Sequence, residues 1–224
     1  MSFRIKNYLN KLKKLIAILF LIPIIINFGQ KIGKVAPERP PVEFPSNIWG
    51  ADLLFSDGGF GIGTFFQKRF SLKLKGFIDL SFSESKNERE FEYYDYYGRP
   101  IVVGKENRVF FIPLNVGVQY RLFAKKLSDN LRPYLSVGVG PTFSISTPYQ
   151  EEFFESFGNS QFHLAVGGYI GMGANFGLSK KNLLGLSMRY YYSKFITKGV
   201  EHMTGQIKNE IGGFYITLNV GFMY

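Results

Sequence analysis

The chain has 224 residues, with 27 Lys/Arg against 17 Asp/Glu, 17% aromatics, 25 Gly, one Trp and no Cys. The lack of Cys excludes disulfides, thiolate chemistry and a lipidated N-terminal Cys, and a mean hydropathy of -0.01 is too low for a bundle of membrane helices. Half of the formal +10 lies in residues 1–29, which hold five Lys/Arg and no Asp/Glu; the rest carries 22 basic and 17 acidic residues, net +5, with no basic helix or zinc spacing, so nucleic acid is not an expected partner.

In chain order, Arg4, Lys6, Lys11, Lys13 and Lys14 precede an apolar run, Leu15–Ile26, too short to span a bilayer comfortably. With Asn27-Phe28-Gly29 as a cleavage site, residues 1–29 are expected to be a signal peptide. Residues 30–47 contain Pro37, Pro40, Pro41 and Pro45 and are expected to form an extended periplasmic leader. From residue 48 the apolar period is two, not 3.6.

Strands are expected at 48–55, 60–67, 70–83, 108–122, 131–146, 160–176, 183–195 and 210–224. In 108–122, Phe110, Ile112, Leu114, Val116, Val118 and Tyr120 alternate with Pro113, Asn115, Gly117, Gln119 and Arg121. In 210–224, Phe214, Ile216, Leu218, Val220, Phe222 and Tyr224 alternate with Tyr215, Thr217, Asn219 and Gly221. One face of each strand is apolar over about ten residues, the length of a barrel crossing. The turn Ser56-Asp57-Gly58-Gly59 separates the first two strands, since Asp-Gly supplies positive φ. Short turns at 68–69, 123–130 and 178–182 alternate with long segments at 84–107, 147–159 and 196–209. Even strand number, short periplasmic turns and long outer loops are the rule for bacterial barrels, so both termini are expected in the periplasm. The fold class is an all-β, eight-stranded antiparallel up-and-down transmembrane barrel over 48–224.

With its signal peptide, eight alternating strands and C-terminal FYITLNVGFMY (Phe214–Tyr224), the chain resembles the small outer-membrane barrel families of bacteria: the OmpA and OmpW types and the PorT-like barrels of Bacteroidota. The terminal Tyr224 departs from the more usual Phe. The resemblance implies residence in the outer membrane, contact with its lipid and lipopolysaccharide, and recognition of Phe214–Tyr224 by the barrel-assembly machinery. The peptidoglycan-tethering role of full-length OmpA-type proteins is not expected here.

A lumen this narrow is filled by side chains. Parity points Asp52, Lys73, Lys75, Asp79, Arg121 and Arg189 inward, and confined charges must pair, so a polar plug is expected there. The loops offer a second set. Residues 84–107 hold Glu92, Tyr93, Tyr94, Tyr96 and Tyr97, and residues 147–159 hold Glu151, Glu152, Phe153 and Phe154. Aromatics in solvated loops need a contact: each other, as a lid, or an extracellular protein or glycan. His163 and His202 are the only histidines; they make no spaced catalytic motif, and no cofactor or metal site is expected. The expected role is structural or surface-interacting without catalysis, with a narrow pore for small or apolar solutes and a lipid-modifying enzyme as alternatives.

Overall fold

The computed structural model describes residues 45–86, 90, 92–94, 96–98, 100–124, 127, 130–176 and 181–224. The expected signal peptide, residues 30–44 of the leader and Lys125-Lys126 lie outside the described residues. Eight long strands follow one another around a closed antiparallel barrel. They are β1 (Asn47–Ser56), β2 (Gly59–Arg69), β3 (Leu74–Ser85), β6 (Asn107–Arg121), β7 (Leu131–Pro148), β8 (Gln161–Phe176), β9 (Asn182–Phe195) and β12 (Glu210–Met223). The barrel closes where β1 meets β12, from Ile48 opposite Met223 to Ser56 opposite Tyr215. This is the expected fold class, and the first two strands are indeed separate. Among the described residues no helix is long and apolar enough to cross a membrane.

The period of two sets the two faces of the wall. On β6, Val116 is 56% exposed and Val118 and Tyr120 also face out, whereas Asn115 and Gln119 are buried inside. Trp49 and Phe55 of β1, Ile78, Leu80 and Phe82 of β3, and Phe214, Ile216, Val220 and Phe222 of β12 extend the same apolar exterior. Such a surface, wrapped around a polar interior, is matched to lipid rather than water. Glycines let aromatic rings cross the narrow lumen: a Cβ on Gly117 would strike the Phe77 ring and the Val137 carbonyl, and Phe77 stacks on Tyr169 with ring centroids 5.8 Å apart.

One rim carries Asn47 and Tyr224, which exchange backbone hydrogen bonds of 3.0 and 2.9 Å, together with the turn at 70–73. The expected strand 70–83 begins only at Leu74 because a turn forms first. Ser71 Oγ accepts hydrogen bonds from the amides of Lys73 (3.3 Å) and Leu74 (3.1 Å), and the Phe70 and Ser71 amides donate to the Leu74 carbonyl. The opposite rim carries the long loops. Two of them extend into small hairpins, β4 (Glu92–Tyr94) with β5 (Pro100–Val102), and β10 (Val200–Met203) with β11 (Gln206–Lys208). A third contains a short 3-10 helix, Glu155–Asn159.

Candidate functional site

Three of the six expected plug residues meet in the barrel centre. Arg189 on β9 places Nη2 2.9 Å from Asp52 Oδ2 of β1 and Nη1 3.8 Å from Asp79 Oδ2 of β3. It also donates to the Tyr191 hydroxyl at 3.3 Å and lies 5.3 Å from the Tyr169 ring centroid. Asp79 accepts from Asn115 Nδ2 at 3.1 Å and from the Tyr169 hydroxyl at 3.0 Å. Asp52 accepts from Asn219 Nδ2, whose own side-chain oxygen accepts from Ser187 Oγ at 3.2 Å. Each carboxylate thus has a neutral donor as well as the shared cation, as burial of charge requires. The adjoining cavity of about 10 Å³, lined in part by Phe65, Phe77, Tyr169 and Arg189, has room for about one water.

The other three lie elsewhere. Lys73 is exposed in the turn before β3 and is not a lumen residue, because the Ser71 turn displaces it from the strand. Lys75 and Arg121 line a cavity of about 30 Å³ at the terminal rim, beside Arg69, Arg132 and Gln119. The sequence reading overlooked Arg132 and the two central tyrosines, Tyr169 and Tyr191. Their parity with neighbouring inward residues was the available signal. Above the ion cluster, Tyr191, Phe111 and Tyr215 pack as an aromatic plug, with centroids 5.2 to 6.1 Å apart.

The loop rim is interlocked. Lys105 bridges Glu90 (2.9 Å) and Glu84 (3.3 Å) and pairs by backbone with Met203. The Glu106 amide donates to the His202 carbonyl at 2.9 Å and the Thr204 hydroxyl to Glu106 Oε1 at 2.7 Å. Arg108 donates to the carbonyls of Pro148, Tyr149 and Glu151. Burial pulls the Lys105 amine down, and its bonds and charge contacts with Glu90 and Glu84 more than offset this, leaving its pKa raised. His202 is pushed down to about 4, first by burial and then by the charges of Lys208 and Lys105, against the opposing pull of Glu90.

The loop aromatics divide. Phe153 and Phe157 pack back on Phe110, at 6.3 and 5.8 Å. Phe154 is exposed, as are Tyr93, Tyr94, Tyr96 and Tyr97, with Tyr96 at 98%. Of Glu92 only the backbone is described. Glu151 Oε1 accepts from Asn159 Nδ2 at 2.8 Å, and the Glu152 carbonyl accepts from the Ser156 amide at 2.9 Å at the start of the 3-10 turn. His163 Nε2 lies 3.1 Å from Ser146 Oγ, and its Nδ1 lies 3.1 Å from the Lys198 carbonyl. A carbonyl only accepts, so Nδ1 carries a proton, and in the neutral ring Nε2 accepts from Ser146. The described residues contain no group of three or more His, Asp or Glu that could hold a metal.

No protein-family model and no curated protein matches the chain. Among solved structures it is similar to Neisserial surface protein A, at 12% identity, 81% of this chain, 97% of that one and a TM-score of 0.48. It is also similar to Ail, the attachment invasion locus protein of Yersinia pestis, at 13% identity, 82% and 100% coverage and a TM-score of 0.43. The Pseudomonas aeruginosa outer membrane protein OprG matches at 11% identity, 83% and 99% coverage and a TM-score of 0.40. The fold assignment rests on the barrel itself, which has the architecture of a small outer-membrane barrel.

Proposed function

We propose that the protein is a sealed outer-membrane barrel with both termini in the periplasm, whose role is structural or surface-interacting and is carried by its loop rim. The observation behind this reading is the Asp52–Arg189–Asp79 cluster under an aromatic plug, which fills the middle of the lumen with paired charges and packed rings. A rigid loop frame above it holds Tyr93, Tyr94, Tyr96 and Tyr97 out into solvent, a surface suited to a protein or glycan contact. The lipid-matched exterior supports contact with membrane lipid and lipopolysaccharide, and Phe214–Tyr224, as the closing strand, is the segment for the assembly machinery to recognise. Planar-bilayer recordings of the refolded protein test the seal: reproducible single-channel steps favour the pore instead. Protease on intact cells tests orientation: cleavage within 92–98 or 149–160 is expected, and cleavage at Lys125-Lys126 reverses it.

A second reading has one observation behind it. Ser146 and His163 have the donor–acceptor geometry of a nucleophile and base, which would suit acyl-ester hydrolysis on a lipid. Ser146 is buried, and the hydrogen-bond partner on the far side of the histidine is a carbonyl rather than a carboxylate. A fluorophosphonate probe that labels the native barrel, and no longer labels Ser146→Ala, would establish this reading; no labelling removes it.

A further inference from the structure

The barrel wall is not level at the loop rim. Strand β1 ends its pairing with β12 at Ser56 opposite Tyr215, while residues 210–214 of β12 continue upward paired to β9 alone. On the far side of the β1–β2 hairpin, Glu84 and Ser85 of β3 rise beyond β2 and pair only with β6. The Asp57-Gly58 turn therefore forms the floor of a notch between two taller walls. A cavity of about 750 Å³ occupies it, bordered by lumen-facing Tyr191 and Ile211 and by outward-facing Tyr190, Tyr192 and Phe214. One space touching both faces of the same strands is open through the wall.

Two features say what the notch faces. Phe55 and Phe60, with ring centroids 5.5 Å apart, join Tyr190, Tyr192 and Phe214 as exposed rings just below and beside it. A girdle of aromatics marks the interfacial layer, where lipid headgroups lie. Lys194 and Lys208 line the same cavity, and no carboxylate of the described residues lies within ion-pairing distance of either amine. The neighbouring acid Glu210 stands opposite Lys194 in the β9–β12 ladder and accepts from the Tyr192 hydroxyl at 2.7 Å, so the lining counts three Lys against two acids. Asp57 and Lys86, also in the lining, offset each other in charge.

We propose that this notch is a binding site for a phosphorylated lipid headgroup of the adjacent leaflet, with Lys194 and Lys208 on the phosphate and the acyl chains running down the exterior past Phe214 and Ile216. The site rests on the membrane reading above, since only a barrel seated in lipid brings the notch to the headgroup layer. A lipid occupant, rather than a free anion, follows from the wall being open toward the aromatic girdle as well as upward.

The test uses the full chain refolded in dodecyl maltoside micelles, with folding scored by heat-modifiable gel migration and retention of diphosphoryl lipid A scored by native mass spectrometry. Wild type retains the lipid. Lys194→Gln/Lys208→Gln weakens retention by about thirtyfold, the scale of two amines near an anionic lipid surface. Lys194→Arg/Lys208→Arg keeps the charge and keeps the lipid, separating charge from fold. Lys68→Gln, exposed near the terminal rim, matches wild type. The proposal fails if the Gln pair retains lipid as wild type does, or if the Arg pair loses it. It also fails if inorganic phosphate alone binds with the same lysine dependence, which makes the site one for free anions. A folded wild type that retains no lipid A overturns this site and leaves the barrel reading standing.

Discussion

Replacing Arg189 removes the one cation that two buried carboxylates share. Its guanidinium sits 2.9 Å from Asp52 and 3.8 Å from Asp79, separations at which a pair is worth roughly 4 kcal/mol or more gross at an effective dielectric near 20. Arg189→Met abandons both acids in a space with room for about one water. The expected destabilisation is about 3–5 kcal/mol, the usual range for a broken buried pair. Asp52→Asn leaves Arg189 its longer contact with Asp79, the Tyr191 hydroxyl and the Tyr169 ring, so it should cost less, about 2–3 kcal/mol. In the double variant only Asp79 remains ionisable, and Asn115 and Tyr169 still donate to it. The double variant should therefore be more stable than the sum of the singles implies, by about 1–3 kcal/mol. Urea titrations of folding into lipid vesicles measure this. The single Trp49 faces outward on β1, 55% exposed, and its fluorescence reports insertion. Strict additivity of the two substitutions would refute a shared buried cluster. A stable Arg189→Met protein that conducts selectively would show that the charges gate a path.

Three further outcomes are expected. Val116→Arg should cost about 2–4 kcal/mol in the same titration and Gln119→Glu, inward on β6 beside Lys75, Arg121 and Arg132, less; equal penalties would mean the facing of β6 is wrong. Gly117→Ala forces a Cβ against Phe77 and to within 2.7 Å of the Gly138 Cα, so a loss of about 1–3 kcal/mol is expected, relieved in part by Phe77→Leu. His202, with its pKa pushed down to about 4, favours the interlocked loop rim while neutral. The opened segment has the ordinary value near 6.5 and takes up a proton first, so the stabilisation is complete above pH 6.5 and fades as pH falls toward 4. The difference amounts to about 3 kcal/mol of rim stability. Hydrogen exchange at 200–208 should quicken over that window in wild type and show a smaller change in His202→Gln; identical profiles would remove the histidine from the effect.

The barrel was legible because alternation is a local property: Phe110 to Arg121 state their two faces with no reference to any other strand. Loop length settled the order of turns in the same way. What failed was local chemistry that interrupts a pattern. Lys73 keeps the parity of an inward residue, yet Ser71 captures the amides of Lys73 and Leu74 and bends the chain before β3 starts. Cross-strand partners were beyond reach for a different reason. Asp52 and Arg189 are 137 positions apart, and which inward residue meets which depends on the register of every intervening pair. Tyr169 and Tyr191 show the limit of residue type as a guide, since the same side chain serves as belt outside and as plug within. The notch needed relative strand heights, which no single strand encodes.

The seam between β1 and β12 has a consequence for biogenesis. Ile48 and Met223 are the first and last partners of one ladder, so the cylinder stays an open, curled sheet until almost the whole chain is available. During that interval two unsatisfied edges, those of β1 and β12, each present a row of amide donors and carbonyl acceptors together with a greasy outer face, the combination most prone to pair with the wrong molecule. Ring closure is thus the step of highest sequence separation and the slowest to find unaided. A substitution confined to the seam, such as a proline at Ala51 or Leu218, would stall insertion with seven ladders intact and one missing.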